Sequence, residues 1–266
     1  MVRNTATRLR SVSPNDILEK EVVLLKEEKY LAIRHNTVVK SNELILQSKF
    51  DLSLQQQKMV LFLISQIEVQ DEEFKEYEFS IGEFCRVCGI DYKSGKNYQD
   101  IKQAIKEIAD KSLWIALPNG SETLLRWIEK PYINAKSGLI RIRLDRDMKP
   151  FLLQLKQNFT KYELIYTLRF KSKYTIRLYE IIKSVHFNER VYYQRTFSLE
   201  ELRSLLGAEN YTQYKDFKKR VLEVATQEIN QFSDKKVEYD EVKRGNKVEK
   251  ILLTIRTKED DEILSL

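Results

Sequence analysis

Lys215, Lys218, Lys219 and Arg220 place four cations within six positions, beside the aromatic Tyr214 and Phe217. Wound at about 3.6 residues per turn, Tyr214, Phe217, Val221, Ala225 and Phe232 form one stripe facing a core. Lys215, Asp216, Lys219, Arg220, Glu223 and Thr226 face the other way. Lys218 falls at the edge of the stripe, where its stem packs while its ammonium reaches out. The chemistry such a face offers is recognition of a polyanion, not bond making. A strand-nicking enzyme needs paired metal-binding histidines beside a nucleophilic tyrosine. The two histidines, His35 and His186, lie far apart and form no H-x-H. The two cysteines, Cys85 and Cys88, have no second pair or nearby histidine to complete a zinc set. Cys88 reads as a core filler and Cys85 as incidental, in a reducing compartment. Gly95, Lys96 and Asn97 lack the hydroxyl residue and upstream glycine spacing of a P-loop. No catalytic residue, metal or cofactor is expected.

The elements that position these cations occur twice. Phe79, Ser80, Glu83 and Gly89, followed by Tyr98, Asp100, Lys102, Glu107 and Ala109, recur as Phe197, Ser198, Glu201 and Gly207, followed by Tyr214, Asp216, Lys218, Glu223 and Ala225. The offset is 118 before the turn and 116 after it, so the difference lies in a loop. A long unit repeated once predicts two copies of one small fold. In each, Ser with Glu three residues on is a capping box and glycine ends the helix, which then turns into a second, longer helix. The second long helix is expected from about Thr212 to Phe232, with Thr212 and Gln213 at its entry among the candidate contacts. Lys236–Val242 and Val248–Ile255 alternate as strands around a wing tip carrying Lys243, Arg244 and Lys247. Upstream, Lys171, Ser172, Lys173 and Arg177 cluster at the start of a helix over 174–185. Ser172 caps that helix, and its amides favour a phosphate.

In the first copy the same positions read Gln99, Gln103 and Ala104, so the core is shared and the basic face is not. Ahead of it, residues 15–30 read as a helix capped by Asn15 or Asp16. Ser53 with Gln56 caps another helix over 54–69. After it, 113–117, 123–132 and 139–144 read as strands joined by hairpins. Helices followed by a hairpin are the order of a winged helix, so the fold class is α+β with two tandem winged-helix units. The divisions are 1–35, an arm and helix; 36–152, a first winged helix that is either a weaker DNA reader or a protein-contact surface; 153–258, a second, the main DNA-binding unit; and 259–266, an acidic tail.

Charge follows this division. Residues 1–140 hold 20 Lys and Arg against 20 Asp and Glu, whereas 141–258 hold 26 against 16. Such asymmetry points to a polyanionic partner. No run approaches the ~18 apolar residues of a membrane span, and no apolar signal core opens the chain, so a cytoplasmic location is expected.

The run from Asp51 through Leu52, Ser53, Leu54, Gln55, Gln56 and Gln57 to Lys58, with Ile64 to Ile67 closing its helix, resembles the first domain of the iteron-binding plasmid replication initiators. Phe170 to Glu180, preceded by Asn158 to Tyr162, resembles the opening of their second domain. The resemblance spans roughly 35–257 and implies a bacterial, plasmid-encoded protein. It implies monomers that bind direct repeats in double-stranded DNA at an origin, help open it and recruit host replication proteins. It also implies homodimers, joined through the first domain, that bind an inverted repeat and repress the initiator's gene. The recognition helix becomes Tyr211–Phe232, with Lys215, Lys219 and Arg220 as contacts and Lys173 and Arg177 near phosphates. A transcriptional repressor without an origin is the rival reading.

Overall fold

A computed structural model of the chain describes residues 14–91, 95–117, 119–134, 136–185 and 191–264. The first half runs α1 (Pro14–Arg34), β1 (Thr37–Ser41), α2 (Asn42–Gln47), β2 (Ser48–Lys49), α3 (Leu54–Ile64), β3 (Tyr77–Ser80), α4 (Ile81–Val87), α5 (Gly95–Asp110), β4 (Ser112–Ala116), β5 (Glu122–Arg126), β6 (Tyr132–Ile133) and β7 (Leu139–Ile142). A short stretch follows with α6 (Lys149–Leu152), β8 (Phe159–Glu163) and α7 (Ile165–Leu168). The second half holds α8 (Lys173–Ser184), β9 (Tyr192–Ser198), α9 (Leu199–Leu206), α10 (Tyr214–Phe217), a π turn (Lys218–Leu222), α11 (Glu223–Phe232), β10 (Lys235–Arg244), β11 (Lys247–Thr257) and α12 (Asp260–Leu264).

Both copies of the repeat fold alike. Ser80 and Ser198 each complete a capping box, with Glu83 and Glu201. Gly89 and Gly207 stand at φ 66° and 63°, the left-handed conformation that ends the helix and that a side chain would strain. The strand before each helix-turn-helix pairs with the last strand of its copy, which also pairs with the strand before it: β3–β7–β6 in one, β9–β11–β10 in the other. The two sheets therefore share one topology, with the final strand central. The segments read as three hairpin-linked strands divide between two sheets. β4 and β5 form a separate hairpin against β2, while β7 pairs with β3 and β6.

Several boundaries differ from expectation. α1 continues to Arg34, whose guanidinium donates to the carbonyls of Arg86 and Val87 at the end of α4. α3 stops at Ile64, where Ser65 closes it. Cys85 is as fully buried as the core around it, and burial raises its thiol to about 11 and that of Cys88 to about 12. Both cysteines are unreactive core side chains.

α8 joins the halves. It packs on α2, α3 and β8 on one side and on α9 and α11 on the other. Thr175 through Ile182 are buried in an unbroken run, as a helix enclosed on all sides requires. A second tie is the antiparallel ladder of β1 with β8, from Thr37 opposite Glu163 to Ser41 opposite Phe159. It joins residues on both sides of the division expected at 152/153. The buried apolar side chains form one continuous cluster through both halves. Among the described residues, no helix is long and apolar enough to cross a membrane.

Candidate nucleic-acid interface

The second helix-turn-helix is fixed from its turn outward. The Gly207 N–H closes α9 onto the carbonyls of Arg203 and Ser204. Arg203 donates to the Thr212 carbonyl at 3.1 Å, and its guanidinium lies 5.2 Å from the centre of the buried Phe217 ring. The chain thus enters the long helix held by backbone and core together. That helix starts at Tyr214, with Gln213 as its cap residue and Thr212 outside it. Its inward face is Phe217, Val221, Leu222, Ala225 and Ile229.

Thr226, expected on the outer face, is buried and donates to the Leu222 carbonyl. The cause is the π turn over Lys218–Leu222, in which the Glu223 N–H reaches back to the Lys218 carbonyl. The wider turn moves the inward face by about one residue relative to a regular helix.

Lys215, Lys219 and Arg220 are exposed on this helix, as are Thr212 and Gln213 at its entry. Among the described residues no carboxylate pairs with these three cations. Lys218 behaves differently. Its ammonium donates to Glu241 on β10 at 2.8 Å, and the Tyr214 hydroxyl donates to the same oxygen at 2.9 Å. Lys243 meets the other Glu241 oxygen at 3.2 Å. The hydrogen bonds from Lys218 and then Tyr214 hold the Glu241 carboxyl at about 2. One carboxylate therefore clamps the wing to the recognition helix. No local pattern signals it, because Glu241 lies 27 residues from Tyr214 and 23 from Lys218.

At the wing tip, Gly245 at φ 60° and Asn246 form a two-residue connection between the paired Arg244 and Lys247. Lys243, Arg244 and Lys247 are all exposed there, with Arg244 3.8 Å from Glu249.

The upstream cluster divides. Ser172 does cap α8, its hydroxyl accepting from the Tyr174 N–H. The Lys171 and Ser172 amides, however, donate to the Glu228 carboxylate of α11, which also accepts from the Thr175 hydroxyl at 2.6 Å. That carboxylate stands where a phosphate was expected. Lys171 is exposed, and the Lys173 ammonium pairs with Asp51 at 2.7 Å across the two halves.

Arg177 corrects the expectation outright. It is buried, donates to the carbonyls of Ile45 and Leu205, and lies 4.6 Å from the centre of the Phe50 ring. Its neighbour Glu180 is buried too, accepting from Lys40 at 2.8 Å and from the Tyr162 hydroxyl at 2.7 Å. Arg177 ties the two halves together, and its hydrogen bonds go to backbone carbonyls and not outward. A charged residue on a helix buried all round must find partners inside.

The first copy presents another surface. Lys96, Gln99, Gln103 and Lys106 are exposed along α5. Glu107, the counterpart of Glu223, accepts from Gln56 at 2.8 Å and Gln103 at 3.1 Å. His35 bonds Glu163 at 2.7 Å, and His186 lies outside the described residues. In the acidic tail, Glu262 takes a two-pronged bond from Arg256 at 2.6 and 2.7 Å. Arg256 is at the base of β11, the end away from the wing tip, so the tail is fastened away from the wing cations.

Residues 37–183 match the family model described as initiator replication protein, WH1, and residues 198–255 match its companion, WH2. A replication initiation protein from Escherichia coli is 25% identical over 226 residues, covering 82% of this chain and 69% of that protein. A crystal structure of the Pi initiator protein in complex with iteron DNA superposes with a TM-score of 0.71 at 20% identity, over 85% of this chain and 99% of the other. At that identity the likeness is one of fold.

Proposed function

The chain belongs to the initiator replication protein family, and from that premise we propose that it initiates plasmid replication by binding directly repeated sites at an origin. The observation that carries this is the recognition helix of the second copy, where Lys215, Lys219 and Arg220 stand exposed beside a basic wing. In such a head the helix enters the major groove and the wing follows the backbone. Lys219 and Arg220 read base edges; Lys215, Lys243, Arg244 and Lys247 hold phosphates. Lys171 and Lys173 lie at the edge of this surface, and Lys173 reaches DNA only by leaving Asp51.

The two heads differ, so one monomer reads an asymmetric site, and direct repeats follow. Heads in successive major grooves sit about 10 bp apart and cover about 20 bp. Molecules bound side by side then strain an adjacent AT-rich duplex, with binding energy offsetting part of the opening cost. The protein supplies no bond chemistry in this scheme and acts in the bacterial cytoplasm, where host replication proteins join it. Footprinting on its own origin is the test. Protection of successive repeats in one orientation is expected, and uniform coverage of unrelated DNA would exclude the reading. A metal-dependent nicking assay that gave clean cleavage would exclude the non-enzymatic part.

Autorepression by a dimer has a specific observation in its favour. Trp114 and Leu124 lie directly opposite on the β4–β5 hairpin and are 52% and 49% exposed. An exposed aromatic–aliphatic pair on a hairpin outside both wing sheets suits a second copy. If a plasmid carrying the repeats replicates without this protein, repression alone remains.

A further inference from the structure

The internal repeat supplies its own control for the recognition helix. The offset of 116 holds from Tyr98 and Tyr214 through Ala109 and Ala225, so positions correspond one to one. α5 is a regular helix, whereas its counterpart carries the π turn. Burial is exchanged at the corresponding positions. Ala104 is 6% exposed while Arg220 is exposed. Lys106 is exposed while Leu222 is buried, and Asp110 is exposed while Thr226 is buried. Upstream of the turn the two helices agree, Ile101 and Phe217 both facing the core. The rotation therefore begins at the π turn and nowhere earlier. Glu241 fixes the segment that enters it, since Tyr214 and Lys218, one turn apart, share its carboxylate.

We propose that this π turn is the specificity-determining element of the second head. By widening one turn it swings position 220 out of the face that the first head buries and sets Lys219 and Arg220 side by side on the outer face. It then returns Leu222, Ala225 and Ile229 to the core. The first head, without the turn, buries the alanine at the corresponding position. Glu241 is the positioning residue that keeps the turn in register from the wing. The inference rests on the second head being the DNA reader.

The test compares two full-length variants that both lack the Lys219 charge. Lys219→Ala keeps the π turn. Deletion of Lys219 leaves a regular helix in which Phe217, Val221, Leu222, Ala225 and Ile229 still fall on one face. Both are titrated against the duplex footprinted on the protein's own origin and against an unrelated duplex of equal length, at one salt concentration. Lys219→Ala is expected to lower the ratio of the two affinities about tenfold. The deletion is expected to lower it at least tenfold further while unfolding as cooperatively as the parent. Equal ratios for the two variants would overturn the proposal while leaving DNA reading by this head intact. A deletion variant that fails to fold would also overturn it, because the extra residue would then serve the core and not the reading face. A parent protein that does not discriminate between the duplexes would sink the underlying functional reading instead.

Discussion

Arg177 and Lys219 are both cations on helices, and the fold gives them opposite employments. Arg177 is surrounded, so its guanidinium spends its hydrogen bonds on the Ile45 and Leu205 carbonyls. Lys219 faces solvent. Glu180→Ala would leave Lys40 and Arg177 buried without their shared carboxylate, and a loss of about 3–5 kcal/mol is expected in urea unfolding. Lys219→Ala or Arg220→Ala should leave stability within about 0.5 kcal/mol. The same changes should cost about 1–3 kcal/mol of binding to the specific duplex and relax preference at one base step. Lys247→Ala on the wing should weaken binding to all sequences alike and lower the salt slope by about one. Competition binding across a salt series separates the two behaviours. Equal losses on every sequence would remove base reading from Lys219 and Arg220.

At the scale of elements, the wing and the recognition helix are one unit because Glu241 joins them. Its carboxyl is depressed from 4.5 to about 2 in the folded protein, chiefly by the Lys218 hydrogen bond. A depressed carboxyl contributes stability that is complete above its unfolded value and is lost as pH falls through its folded one. The clamp is therefore intact at neutral pH and released between about 4.5 and about 2. Glu241→Gln should flatten the acid limb of the melting temperature within that window and leave the neutral-pH pH dependence unchanged. A parallel acid limb in the variant would show that the clamp contributes nothing. The capping boxes act at the same scale, and Ser198→Ala should cost about 1 kcal/mol by leaving the Glu201 N–H without its acceptor.

For the whole molecule, the two heads are mounted on a common helix, α8, and a shared ladder, β1 with β8. Lys173 with Asp51 and Arg177 with Ile45 and Leu205 pin that mounting. The separation of the two helix-turn-helix units is thus set by packed core and not by a linker. The β4–β5 hairpin lies outside both wing sheets. Trp114→Lys should shift the protein from dimer to monomer in sedimentation while monomer affinity for a single repeat is kept. Unchanged dimerisation would place that interface elsewhere.

The repeat, the capping boxes, the glycine stops, the core stripe and the concentration of positive charge are local or periodic properties. For that reason Phe79 to Ala109 and Phe197 to Ala225 are legible as twin helix-turn-helix units from the sequence alone. Long-range partnership was not. Whether Lys218 is free or held depends on Glu241, whether Arg177 reaches outward depends on α2 and α9, and whether the α8 amides are open depends on Glu228. Thr226 faces inward against the helical wheel because a wheel assumes one uniform turn, and only backbone hydrogen bonding reveals where that turn widens. Sequence fixes what each helix is able to bury; tertiary structure decides which of its charges are left over for DNA, because only packing brings the neutralising carboxylates within reach.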